Sequence, residues 1–153
     1  MIPSTVERVP EHTAEHVNEQ IRRQTEENVA RYAAAGDEAI NRRLAELDEE
    51  WDVERMLEAN AATLAAVGSG LALLVDRRFA LIPLVVGSFL LQHAVQGWCP
   101  PIPIFRRLGF RTASEIDYER YALKTLRGDF RDMPANDGHE LTSVKQVLDA
   151  VRS

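Results

Sequence analysis

Cys99 is the only cysteine in a chain of 153 residues, and Pro100, Pro101 and Pro103 follow it closely. A thiol does nucleophilic or redox work as the thiolate, so it needs a cation nearby, and Arg106, Arg107 and His93 are the nearest candidates in sequence. A position at the rim of an apolar segment acts the other way and raises the thiol's pKa. A Cys-Pro pair with a histidine near it is also the start of a haem ligand set, though two residues do not make a pocket. The residues favour a structural turn over a redox or sulfur-carrier thiol, and either over a haem or metal ligand. His12 and His16 have the i, i+4 spacing with which a helix offers two imidazoles to one metal ion. They lack a third ligand in register and a glutamate placed for a zinc hydrolase, so the expectation is a solvated helix face with no metal and no cofactor. Gln92, His93 and Gln96 stand inside an apolar run. Polar groups there serve either as hydrogen bonds between helices or as the lining of a polar path.

The elements that must position these residues follow from how charge is distributed. Residues 1–58 carry 15 acids against 7 bases, residues 59–105 one acid and two bases, and residues 106–153 8 acids against 9 bases. The net charge of −6 is therefore mostly that of one acidic arm. With a pI near 5.2 and no stretch where Lys and Arg collect, a nucleic-acid binder is excluded. The amino terminus shows no basic region followed by an apolar one, so no cleavable secretory signal is expected and the chain starts in the cytosol.

Within the arm, 1–58, a thin stripe of Val17, Ile21, Val29 and Tyr32 predicts a helix that needs a partner to lean on. Gly36 interrupts it and Asp37 reads as the N-cap of a second helix. Ile40, Leu44, Leu47 and Trp51 then form a heptad-like seam about two heptads long, suited to a second copy or a cytosolic protein partner. Asp52 reads as the cap of a third stretch that enters the apolar region.

That region, 59–97, consists of an uncharged run from Ala59 to Val75, the turn Asp76-Arg77-Arg78, and a second uncharged run from Phe79. As helices, 59–75 and 79–97 reach about 26 and 28 Å, marginal against a hydrocarbon core about 30 Å thick. A buried hairpin in a soluble helical oligomer is the competing reading. The membrane is favoured by small residues in register, Ala61-Ala65-Ser69 and Ala62-Ala66-Gly70, by a turn whose arginines can snorkel, and by the excess of basic residues at the outer ends. That excess places both termini in the cytoplasm. Pro83 falls near the start of the second helix, and Gly87 reads as a close-contact point.

Three prolines after Cys99 predict an extended connection over 98–111, with Trp98 as an interfacial anchor and Arg106-Arg107 as the charged flank. Gly97, Trp98, Cys99 and Pro100, followed by Leu108, Gly109 and Phe110, resemble the signature of the YgaP-like inner-membrane domain. This two-helix transmembrane family has no assigned function. The resemblance covers roughly residues 55–112 and implies a bacterial or archaeal cytoplasmic membrane and a homodimer. Pro101 to Arg107 make the link between the two halves of the signature longer than in the family, and without a rhodanese loop or a second cysteine no sulfurtransferase activity follows. Over 112–153, Thr112-Ala113-Ser114-Glu115 is a capping box, Gly128 a stop, and residues 133–138 a loop. A short helix is predicted from about Thr142, and His139 supports no site.

These readings converge on an all-α protein, a two-helix transmembrane hairpin flanked by cytosolic amphipathic helices. No catalytic set is visible, so the expected function is a non-enzymatic, membrane-anchored scaffold or interaction module that contacts lipid and forms a homo-oligomer. The alternatives are a small-solute or sulfur-anion pathway built from several hairpins, and the soluble oligomer.

Overall fold

The structure is a computed structural model and describes residues 4, 6–131 and 151. The described residues form helices and no strand. In order these are α1 (Glu15–Ala35), α2 (Asp37–Glu49), α3 (Val53–Leu74), α4 (Leu81–Gln96), α5 (Ile102–Arg107) and α6 (Ala113–Arg127), with single 3-10 turns at Pro10–His12 and Arg77–Ala80. The loop expected at 133–138, His139 and the helix expected from Thr142 lie outside the described residues. Among the described residues, those within 1–25 and 50–117 make one compact unit, and those within 26–49 and 118–153 a second.

In the first unit α3 begins where the sequence says it should. The Asp52 carboxylate accepts the Arg55 backbone N–H at 2.7 Å, and the extended backbone of Asp52, with ψ 168°, stops any helix arriving from before it. At the far end the Asp76 carboxylate accepts the Arg78 N–H at 2.8 Å and turns the chain into α4. α3 and α4 pack on each other. The close approach is at Gly68, where an added Cβ would stand 2.7 Å from the Ile82 Cβ and 2.9 Å from the Pro83 Cδ. Gly87, the expected contact point, has open space around it. Val9, Val53, Leu57, Cys99 and Ile102 form a small core at the base of the two helices, with Leu90, Phe105 and Phe110 against it.

Above that core the apolar side chains turn outward. Leu73, Leu74, Leu81, Leu84 and Leu91 are all exposed. Two helical stretches, within Asp37–Leu74 and Arg77–Gln96, are long and apolar enough to cross a membrane, and only 17% and 6% of their most apolar 18-residue windows are covered by the rest of the chain.

The second unit is held by α2 and the latter part of α6. Ile40, Leu44 and Leu47 are buried within the chain itself. Arg43 reaches Glu119, fully enclosed, through Nε at 2.7 Å and Nη2 at 3.3 Å, and its guanidinium also covers the Tyr32 ring. Arg120 binds Asp48 and the Leu47 carbonyl. Two expectations are corrected here. Asp37 is the first residue of α2, not its cap, because the Gly36 carbonyl already accepts from Ala39 and Ile40. Trp51 does not extend the seam, because α2 ends at Glu49 and the chain is extended at Asp52.

Candidate functional site

The residues nominated for chemistry meet where α4 ends. His93, buried, donates from Nε2 to the Glu54 carboxylate at 2.6 Å, and Glu54 also receives Arg8 Nη2 at 2.9 Å. His93 Nδ1 is enclosed and finds no partner among the described residues. This pairing sets the last turn of α4 level with the first turn of α3, at the base of the apolar pair. Gln92 is 3.5 Å from Gln96 on the same helix, the limit of a hydrogen bond. The last-turn carbonyls of α4 draw donors from the amino-terminal segment: Arg8 Nη1 approaches Ala94 O at 3.4 Å and His12 Nε2 donates to Gln96 O at 2.9 Å. Cationic and N–H groups belong at a helix C-terminus, where four carbonyls lack intrahelical partners. His12 is thus engaged on α4. Among the described residues no three His, Cys, Asp or Glu side chains gather as a metal ion would need.

Gly97 follows with φ +78° and donates its N–H to His93 O at 2.7 Å. The Arg8 backbone lies directly against it, so a Cβ would stand 2.5 Å from the Arg8 carbonyl oxygen. Both the left-handed backbone and the contact demand glycine. Gly97→Ala is expected to cost roughly 1–3 kcal/mol and to free the segment before α1. Proteolysis around residues 8–13 should accelerate while far-UV helicity stays near that of the wild type. Unchanged cleavage would remove this account of Gly97.

Trp98 is half-buried with its ring edge-on to Phe89, centroids 6.4 Å apart. Cys99 is buried in the small core, and its carbonyl accepts the Ile102 N–H at 3.0 Å. The expected extended exit is corrected here. The prolines open a helix instead, because a proline in the first turn gives up an N–H that has no partner there. The Pro101 carbonyl receives the N–H groups of Ile104 and Phe105, both at 3.0 Å. Burial pushes the Cys99 thiol up. Of the groups that could oppose this, His93 is bound to Glu54, Arg106 is bound to Glu115, and Arg107 is exposed. Cys99 and Pro100 instead border an apolar groove of about 180 Å³ with Leu57, Ala61, Leu64 and Phe89. That setting suits packing better than thiolate chemistry.

The two arginines expected as a charged flank separate. Arg107 is exposed, whereas Arg106 is one of the most deeply buried side chains described. Its Nη1 and Nη2 bind the two Glu115 oxygens at 2.6 and 2.7 Å, and further bonds go to Phe110 O, Asn18 Oδ1 and Thr13 Oγ1. Glu115 also closes the capping box of α6, accepting the Thr112 N–H at 2.8 Å. Burial opposes ionisation of Glu115, but the bonds from Arg106 and Thr112 and the Arg106 charge outweigh it, holding the carboxyl below its ordinary 4.5. The folded state therefore binds this proton more weakly than the unfolded chain. Its contribution to stability is full above about pH 4.5 and is lost as pH falls through the lower folded value. Denaturation midpoints measured from pH 7 to 3 should drop below that point, and Glu115→Gln should be less stable at neutral pH and flatten the drop. An equally steep drop in the variant would assign the acid sensitivity to other groups.

Of the small residues, Ala61 is buried and Ala65 half-buried, and Gly68 makes the tightest contact between α3 and α4. Ala62 and Ala66 are exposed, and Gly70 has nothing within 4 Å of where its Cβ would be. Arg8, Glu54, Asn18 and Gly68 carry much of the junction without a local signal in the sequence. Compared with known proteins, the chain matches no family model, no curated protein and no solved structure.

Proposed function

We propose that this chain is a non-enzymatic protein of a bacterial or archaeal cytoplasmic membrane, related to the YgaP-like domain, in which α3 and α4 form a transmembrane hairpin with both termini in the cytoplasm. It acts as a homo-oligomeric scaffold or interaction module. The observation that carries this reading is the bare apolar surface of α3 and α4, which a soluble fold would cover and a bilayer covers without further protein. The outward row Ala62, Ala66 and Gly70 is left for a second hairpin, since small residues let helix backbones approach in lipid. Gln92, His93 and Gln96 lie at the base of the pair and His93 is tied to Glu54, which favours helix-to-helix bonding over a solute path. The experiment is fractionation of the native host followed by a carbonate wash. The protein should stay in the washed membranes, and recovery in the soluble fraction would sink the proposal. Sedimentation in detergent of the wild type and Ala66→Leu, expected as dimer and mostly monomer, tests the second part.

A further inference from the structure

The uncharged part of α3 is short for a bilayer, about 26 Å against about 40–45 Å once both headgroup layers are counted. At the base of the apolar pair the same unit exposes a second apolar surface. α5 has two faces. Ile102 and Arg106 turn inward at 0% and 1% exposure, while Ile104 and Leu108, one helical turn apart on the other face, are 59% and 69% exposed. Arg107 lies between them in sequence and is exposed. Leu108 borders a shallow hollow of about 210 Å³ together with Glu50, Trp51, Gly109 and Phe110. Trp51 is 41% exposed, and the Arg55 guanidinium stacks over it, 4.3 Å from the ring centroid. Glu50 is the carboxylate at the hollow, and Arg111 holds both its oxygens at 2.8 and 2.7 Å, so its charge is answered from within. Arg55 and Arg107 are both exposed.

We infer that the outer face of α5, with Trp51 and Arg55, docks into the headgroup layer of an anionic bilayer. Ile104, Leu108 and the Trp51 indole enter the acyl boundary, and Arg55 and Arg107 meet lipid phosphates. This rests on the hairpin reading and adds where the rest of the first unit sits. Three features point to lipid as the occupant. An amphipathic aromatic ring beside exposed aliphatic and basic side chains is the composition of a membrane interface. The face belongs to the same unit as the bare surface of α3 and α4. The distance also fits: α3 rises about 32 Å from Val53 to Leu74, so a belt at Trp51, just before it, and the arginines at the far turn bracket most of a bilayer.

The chain holds two tryptophans, which makes the test direct. Full-length Trp51→Phe leaves Trp98 to report hairpin insertion, and Trp98→Phe leaves Trp51 to report the belt. Each is reconstituted in vesicles of phosphatidylcholine and phosphatidylglycerol, with and without bromine on the upper acyl chain. Both tryptophans should be quenched by the brominated lipid. Ile104→Ser with Leu108→Ser should lower Trp51 quenching about twofold or more, as buried apolar area sets interfacial binding, while circular dichroism stays unchanged. Quenching of Trp98 with Trp51 unquenched and open to aqueous iodide would overturn the inference and leave the hairpin standing. Trp51 shielded from iodide yet unquenched by bromine would also overturn it, because protein and not lipid would then cover this face. If neither tryptophan is quenched, the hairpin reading itself fails.

Discussion

Arg106→Ala should destabilise the first unit by about 3–5 kcal/mol, a large share of the roughly 5–15 kcal/mol that holds a domain folded. The side chain is fully enclosed, and its guanidinium serves Thr13, Asn18, Phe110 and both oxygens of Glu115. Alanine would leave Glu115 as a half-buried carboxylate without its main counter-charge, together with a side-chain amide oxygen and a main-chain carbonyl that have lost a donor. Lysine should recover only part, because an ammonium has no planar fork to answer two carboxylate oxygens at once. Arg106→Met with Glu115→Leu should recover more than either single change, since an apolar pair of similar volume removes the desolvation cost along with the attraction. Urea denaturation of these variants in detergent measures the series. An Arg106→Ala midpoint indistinguishable from wild type would mean that the network does not hold the unit together.

That network marks the limit of what local pattern reveals. Caps and stops are legible because their chemistry lies within four residues, as for Asp52 with Arg55, Thr112 with Glu115, and Gly128 at the end of α6. The two apolar helices are legible too, because a long uncharged run must satisfy its backbone polar groups internally, and a helix does so within the run itself. Arg106 and Arg107 are adjacent and alike in sequence, yet one is internal and the other external. A helix of six residues is too short to show a period that would sort them, and the partners of Arg106 include residues 93 and 88 positions away. The same holds for His93 with Glu54, 39 apart, and His12 with Gln96, 84 apart. The prolines after Cys99 mislead in a different way. Proline is excluded from helix interiors but tolerated in a first turn, and at the start of α5 the tolerance decides the outcome. Gly97 is legible as part of a motif, but its reason, the Arg8 backbone lying against it, exists only in the tertiary structure.

An arginine placed at different depths should separate a bilayer from a protein core. Leu84 is 64% exposed and lies two residues past Ile82, whose side chain meets Gly68 near the middle of the 59–75 run. Leu73 is 86% exposed and lies one turn from the Asp76 cap. In lipid, a charge at mid-depth costs about 2.5–3.5 kcal/mol on insertion scales, close to a hundredfold in the inserted fraction. Near the turn, an arginine stem can carry its charge to the headgroups at little cost. Leu84→Arg should therefore leave the carbonate-washed membranes, while Leu73→Arg and the apolar control Leu84→Phe stay in them. Retention of Leu84→Arg at the wild-type level would mean that α4 does not face lipid at that depth. Equal loss of Leu84→Arg and Leu73→Arg would remove the depth dependence that only a bilayer imposes, and the bare surface of α3 and α4 would then have to be covered by protein.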